Sequence, residues 1–203
     1  MIKPSDLFDE KTAKLKALIR PLALPGYTVD VPFSDLERYM DRYSQEWGLN
    51  LDPDFQRGHV WTIEQRTAFI EGTFRGTVGE SQRLIQFNAP HWDSSPTEGD
   101  LPEEIQIIDG LQRLSSVRLF MSGKLKAFGL HMEDFNGSSF SLRRSVYALR
   151  FAIHSFIWRS DLLQYYLDIN TGGTVHSESE IARVTQLLVD SKREAQVGNI
   201  EQI

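Results

Sequence analysis

Apolar residues recur along this chain with two different periods, and the changes of period predict where helices and strands lie. Spacings of three and four residues are typical of amphipathic helices, whereas alternation rich in β-branched and aromatic residues is typical of strands. Three capping boxes mark predicted helix starts: Ser34 with Glu37, Thr62 with Gln65, and Ser177 with Glu180. The predicted helices cover residues 1–20, 34–46, 62–76, 111–122, 161–169 and 177–188, and the predicted strands residues 27–31, 83–87, 105–108 and 145–154.

This order of elements predicts an α+β fold in which helices pack around a small mixed sheet. A chain of 203 residues is long enough for one substantial core. We therefore expect a single domain over residues 1–203, with a helical lead-in at 1–26, an α/β core at 27–157 and a helical C-terminal part at 158–203. The last ten residues are expected to fray.

The composition narrows the class of protein. Hydrophobic residues make up 40% and charged residues 25%, which is typical of a folded globular chain. The sequence has no cysteine, so disulfides, thiolate zinc sites and cysteine nucleophiles are excluded. It also lacks a signal sequence and any apolar run of roughly 20 residues, so we expect a cytoplasmic protein without membrane contact.

The formal net charge is −6. Nonspecific DNA binding depends on lysine and arginine side chains that neutralise phosphates, so a chain of this charge has little long-range attraction for DNA. Any DNA contact is therefore expected to be local.

The strongest candidate for chemistry is the turn between the predicted strand 105–108 and the helix that follows it. A helix N-terminus offers unpaired N–H groups and a partial positive charge, which suit a phosphate, and Gly110 lets the backbone approach one closely. Arg113 lies about one turn into the helix and could reach the same anion, with Gln112 donating to or orienting a water. Asp109 could hold a metal ion or accept a proton. In the alternative interpretation Asp109 only caps the helix, Gly110 only turns the chain and Arg113 is a surface charge.

Two other polar stretches carry groups that suit an anionic ligand. Gln56 and Arg57 lie in a loop that Pro53 and Gly58 interrupt, with His59 as a possible further contact. Asn170, Gly172 and Gly173 belong to a glycine turn with amide donors. Phosphates need several convergent donors, so we expect these stretches to fold together with the turn at residues 109–113.

These three stretches resemble a known family. Residues 53–57 with Val60 and Trp61, then residues 107–114, then residues 169–174 are similar to the three ordered signatures of the GmrSD N-terminal domain, a branch of the ParB and sulfiredoxin-like fold. The resemblance implies a domain that binds a nucleoside triphosphate and often hydrolyses it, in restriction or phage-defence systems that recognise foreign or modified DNA. The matching segment spans residues 51–188.

The resemblance also implies residue roles. Asp109, Gly110, Gln112 and Arg113 correspond to the phosphate and hydrolysis site, with Gln56 and Arg57 as phosphate partners. Asn170, Gly172 and Gly173 correspond to a third binding element.

Two departures affect what the resemblance implies. The family's Asp-Gly-Gln-Gln-Arg carries Leu111 in place of its first glutamine, which makes binding a firmer expectation than hydrolysis. Family members commonly continue into a His-Asn-His nuclease domain, and such a domain does not follow here before Ile203.

Three functions remain open at the level of sequence. The first is a nucleoside-triphosphate-binding protein that uses Mg²⁺ and hydrolyses its ligand, with DNA or a separate nuclease or other protein as partner. The second is a noncatalytic DNA- or protein-binding module of the same fold. The third is a metal-dependent nuclease with Asp109 and either Asp52 or Asp54 as acidic groups.

Overall fold

The computed structural model describes residues 4–56, 60–92, 98–142, 146–171 and 178–200, and within them six α-helices and four strands. The helices are α1 (Pro4–Ile19), α2 (Leu36–Trp47), α3 (Ile63–Arg75), α4 (Leu111–Met121), α5 (Arg159–Thr171) and α6 (Glu178–Ile200). The strands are β1 (Tyr27–Pro32), β2 (Leu84–Asn88), β3 (Gln106–Asp109) and β4 (Ala148–His154). Short 3-10 turns cover Phe33–Asp35, Ser81–Arg83 and Met132–Phe135.

The four strands form one mixed sheet in the order β1-β4-β2-β3. β1 pairs with β4 and β2 with β3 in antiparallel fashion, whereas β2 and β4 are parallel. The prediction of an α+β fold with a small mixed sheet and packed helices is therefore confirmed.

One face of the sheet forms the main core, which α2, α3 and α4 cover. Alternate residues of β4 point into it, and Leu149, Phe151 and Ile153 are all 0% exposed. Burying side chains of this size stabilises the fold by roughly 1.5–3 kcal/mol each, so this face carries much of the folding free energy.

A second core lies against α5 and α6. Phe55 from the loop after α2 and Ile108 from β3 pack there with residues of both helices. The helical residues of this second core are Leu162, Leu163, Tyr166, Leu167, Val184 and Leu188. Because Ile107 belongs to the main core and Ile108 to the second, β3 is buried between the two helical layers.

The outer edge of β3 is covered by the chain that leaves α2. Asn50 forms a parallel bridge with Gln106, its N–H donating to Ile105 O at 2.8 Å and its carbonyl accepting from Ile107 N at 3.0 Å. The outward backbone groups Ile105 O and Ile107 N–H are therefore paired. The same contact fixes where the loop at residues 51–56 begins.

Several local predictions are confirmed in detail. Thr62 and Gln65 form the capping box at the start of α3, and Gly76 ends that helix in the left-handed conformation with φ 74°. α4 begins at Leu111 as predicted and ends at Met121, one residue before the predicted end.

The capping box predicted at Ser34 is wrong. The N–H of Phe33 donates to Tyr147 O at 2.9 Å and its ring is buried, so residues 33–35 stay in a 3-10 turn. α2 begins only at Leu36, after Asp35, which makes no side-chain capping bond.

The C-terminal helices are longer than predicted. α5 continues through Asn170 to Thr171, and α6 continues to Ile200, so the expectation that the last ten residues fray is wrong as far as Ile200. α6 is anchored in the second core through Leu188, and the strong helix formers that follow it extend the helix. Ser177, the predicted cap of α6, lies outside the described residues.

α1 is helical as predicted, but its apolar side chains are exposed: Leu7 by 54%, Phe8 by 70%, Leu18 by 80% and Ile19 by 65%. No described helix combines the length and the apolar character needed to cross a bilayer.

Candidate functional site

The turn between β3 and α4 is built around Gly110. This residue is the N-cap of α4 with φ 98°, a left-handed conformation that glycine adopts without strain. A Cβ atom here would lie 2.6 Å from Ile85 Cδ1 and 3.0 Å from Leu84 O. The turn therefore requires glycine for its conformation and for its close approach to β2.

Asp109 does not cap α4. Its carboxylate forms an ion pair with the guanidinium of Arg113 one turn along the helix, and α4 has no side-chain capping bond. The amides of the first helical turn are thus left without a capping carboxylate. The interpretation in which Asp109 serves only as a cap is wrong.

A β-bulge sets the position of Asp109 in the sheet. The pairing of β2 with β3 shifts between Gln86 and Phe87, so that Asp109 lies opposite Gln86 while Ile107 lies opposite Phe87. Bulges commonly redirect a side chain. Here the bulge sets Asp109 against the buried amide side chain of Gln86 on β2.

The first predicted stretch reaches this turn from both of its ends. The Gln56 side chain donates from Nε2 to the carbonyl of Ile108 at 3.4 Å, directly before Asp109. Further along the chain, the N–H groups of Val60 and Trp61 both donate to Gln112 Oε1 at 3.2 Å. The described residues on either side of 57–59 are therefore bonded to the residues on either side of Asp109 and Gly110.

Gln112 is buried, and its side-chain oxygen accepts hydrogen bonds that hold neighbouring segments together. Besides the two backbone donors, Oε1 accepts from Nη2 of Arg66 at 3.2 Å. Arg66 is itself 5% exposed and donates to Ser115 Oγ at 2.6 Å, and burial lowers its pKa. Gln112 thus ties the start of α3 to the first turn of α4 and keeps a buried positive charge nearby.

A polar cluster on the adjoining strands was not predicted from the sequence. Gln86 Oε1 accepts from Tyr165 Oη at 2.5 Å and lies 3.1 Å from Nε2 of His154. Burial, and after it the charge of Asp109, raise the pKa of Tyr165, while burial lowers the pKa of His154. The sequence signal for this cluster was a glutamine inside an apolar strand, which marks a buried polar group that needs partners.

The third predicted stretch is described only in part. Asn170 belongs to α5 and donates from Nδ2 to Tyr166 O at 2.7 Å, so its side chain bonds within its own helix. Gly172 and Gly173 lie outside the described residues, as do Arg57 and His59. The helices that flank this stretch nevertheless reach the site, α5 through Tyr165 and α6 through Arg183, which donates to the carbonyls of Phe55 and Gln56.

Leu111, where the family has glutamine, belongs to the main core. It is 6% exposed and lines a groove of about 740 Å³ with Phe33, Leu51 and Leu114. Its side chain therefore faces apolar neighbours that line this groove beside α4.

A metal site made of protein side chains alone is absent from the described part of the chain, where no three His, Asp or Glu residues form a group that could hold an ion. Asp54 is paired with Arg159 at 2.6 Å, and Asp52 lines the groove. The acidic residues considered for a nuclease thus belong to no group of three possible metal ligands among the described residues.

Comparison with known proteins identifies the family of this chain. Residues 36–196 match the family described as the GmrSD restriction endonuclease, N-terminal domain. No curated protein and no solved structure matches the chain. The match covers well over half of the sequence and includes the loop at 51–56, the turn at 109–113, α5 and most of α6. The chain therefore belongs to the GmrSD N-terminal domain family.

Proposed function

We propose that this protein binds a nucleoside triphosphate with Mg²⁺ at the turn between β3 and α4 and hydrolyses it. The observation that carries the proposal is a set of hydrogen bonds that join the residues before and after Arg57 to the residues before and after that turn. Gln56 is bonded to Ile108, and Val60 and Trp61 are bonded to Gln112, so the segment that contains Arg57 begins and ends at the same place.

The groups at this turn suit a polyphosphate. The amides of Leu111, Gln112 and Arg113 lie at the N-terminus of α4, where the helix dipole favours negative charge. The guanidinium of Arg113 has a buried Nε without a hydrogen-bond partner among the described residues. Arg113 and Arg57 together would neutralise phosphate charge, as guanidinium groups do in bidentate contacts.

Asp109 is the residue that would hold Mg²⁺. Mg²⁺ in nucleotide sites is commonly bound by one or two carboxylates together with phosphate oxygens, so a single carboxylate is compatible with the ion. The Asp109 side chain is 38% exposed, which leaves it accessible to a cation that arrives with the nucleotide. The ion would supply charge neutralisation at the phosphates.

The remaining residues have supporting roles in this proposal. Asp109 would position the attacking water through the bound ion, and Gly110 allows the close backbone approach. Gln112 fixes the segment after Arg57, and any contact of its amide with the ligand or the water is a donation from Nε2. His59, Asn170, Gly172 and Gly173 would supply further contacts to the ligand.

The family is named for restriction endonucleases, and this supports a role in restriction or phage defence. The nucleotide would then act in a system whose DNA or protein partner is a separate component.

Replacing Arg113 with alanine tests the binding site. We expect the affinity for Mg²⁺–ATP, –GTP, –CTP or –UTP, measured by calorimetry, to fall at least about tenfold, because a charge-assisted contact to phosphate is lost. Arg118→Ala is the matched control, since it removes the same charge from the same helix where Arg118 binds Glu37 instead. Equal affinity of Arg113→Ala and the parent would exclude this site.

Phosphate release separates hydrolysis from binding. The parent protein is expected to release phosphate from at least one of the four triphosphates, and Asp109→Asn to release none while it stays folded. Binding without release would instead identify a noncatalytic nucleotide-binding module.

A further inference from the structure

Arg183 on α6 holds the backbone of the loop that precedes Arg57. Its Nη1 donates to the carbonyl of Asp54, and its Nη2 donates to the carbonyls of Phe55 at 3.1 Å and Gln56 at 3.4 Å. One guanidinium thus binds three consecutive carbonyl oxygens, which its planar set of donors allows and a lysine ammonium does not reproduce.

The same loop is fixed to α5 and to the second core. Arg159 Nη2 pairs with the Asp54 carboxylate at 2.6 Å. The Phe55 ring is 0% exposed and packs edge-on against Tyr166, with 5.4 Å between the ring centroids. Both C-terminal helices therefore determine where residues 54–56 lie.

On its other side the loop contacts the phosphate site proposed above. Gln56, whose carbonyl accepts from Arg183, donates with its side chain to Ile108 O, next to Asp109. Residues 54–56 are thus a bridge between α6 and the end of β3. Their carbonyls are held on the α6 side.

We propose that Arg183 is a positioning residue of the nucleotide site, which acts by fixing residues 54–56 so that the Gln56 side chain stays bonded to Ile108 beside Asp109. This inference rests on the proposed function. Arg183 itself does not contact the ligand, and its effect is carried by the loop backbone.

The test compares two arginines of the same helix. Arg183→Gln removes the guanidinium that binds the loop, whereas Arg193→Gln removes the same charge from an exposed pair with Asp190, in which the Arg193 side chain is 73% exposed. We expect Arg183→Gln to weaken Mg²⁺–nucleotide binding about tenfold in calorimetry, as the loss of hydrogen bonds to a charged donor would. Arg193→Gln should bind as the parent does.

Hydrogen exchange without nucleotide reports on the loop itself. In Arg183→Gln the amides of residues 52–61 should exchange faster than in the parent, and in Arg193→Gln at the parent's rate. Unchanged exchange in Arg183→Gln overturns the inference whether or not the parent binds a nucleotide. Faster exchange with undiminished affinity overturns the positioning role but leaves the nucleotide site intact.

Arg183→Lys distinguishes geometry from charge. Lysine keeps the positive charge but cannot bind three carbonyls with one planar group, so its affinity should remain well below that of the parent. Full recovery would overturn positioning and assign the effect to charge alone. A parent protein that binds none of the four triphosphates overturns the proposed function, a result that the exchange measurement does not depend on.

Discussion

His154 is a buried histidine whose partner is an amide rather than a carboxylate. Its Nε2 lies 3.1 Å from Gln86 Oε1, its ring stacks on Phe156 with 5.2 Å between centroids, and its exposure is 1%. Burial favours the neutral imidazole, which lowers its pKa from the ordinary 6.5. The folded state therefore disfavours the second proton that would convert this imidazole to imidazolium.

This coupling predicts a loss of stability in mild acid. Below pH 6.5 the unfolded chain binds a proton at residue 154 that the folded chain does not bind. The free energy of unfolding should therefore decrease as the pH falls from about 6.5 towards the lower pKa of the folded state. Urea unfolding between pH 8 and pH 5 should show this slope in the parent and a smaller one in His154→Gln. Parallel slopes would show that other groups cause the acid sensitivity.

At the level of single residues, the sequence predicted which residues belong to the site better than it predicted their contacts. Asp109, Gly110 and Arg113 were recognisable because they are neighbours in the chain and one helical turn apart. Tyr165 and Arg183 were not, because their contacts join positions about 80 and 128 residues apart that only the fold brings together. Gln112 was predicted as a polar group of the site, but its contacts to Val60, Trp61 and Arg66 depend on how α3 packs on α4.

The strand, turn and helix from β3 to α4 form the element on which the site depends. Gly110→Ala should destabilise the protein more than Gly123→Ala. Both glycines have positive φ, 98° and 72°, but a Cβ at Gly110 meets Ile85 and Leu84 whereas one at Gly123 meets nothing within 4 Å. The steric part should add roughly 1–3 kcal/mol to the loss at Gly110.

Chemical denaturation of both variants measures this difference. Equal free energies of unfolding for the two variants would mean that β2 and α4 separate without cost at this turn. The expected difference would instead make the spacing between β2 and α4 a fixed dimension of the site.

Elements with strong local signals were predictable, and those that depend on tertiary contacts were less so. The capping box of α3 and the glycine at its end gave its bounds almost to the residue. The start of α2 was missed because the burial of Phe33 overrides the local preference of Ser34. The bulge at the end of β3 has no signal in Ile107, Ile108 and Asp109 themselves, since it arises from pairing with β2.

For the molecule as a whole, charge limits how it meets nucleic acid. The net charge is −6, so few counterions would be released on contact with a phosphate backbone. We expect nonspecific duplex DNA to bind no more tightly than about 10 µM at physiological salt, with a shallow dependence on salt between 50 and 200 mM. Fluorescence anisotropy of a labelled duplex measures both quantities. Tight binding that weakens steeply with salt would favour the DNA-binding alternative and a local basic surface.

The overall architecture could be predicted because the order of elements left few arrangements for a mixed sheet. The sequence also led us to expect that the stretch around Gln56 meets the turn at residues 109–113. Hydrogen bonds of Gln56 and Gln112 form this contact in the structure. The dependence of the loop on α6 was not foreseen, because it relies on backbone carbonyls, which leave no mark in the sequence.

The short bridge at Asn50 limits how the sheet can be extended. With the start of β3 already bridged to the molecule's own chain, an incoming strand from another protein finds the outward groups of Ile105 and Ile107 occupied. The opposite margin, β1, is the place where such an addition could occur, and Pro32 at its end shortens the available row. Assembly by strand exchange would therefore be one-sided, and would take place on the far side of the sheet from Asp109.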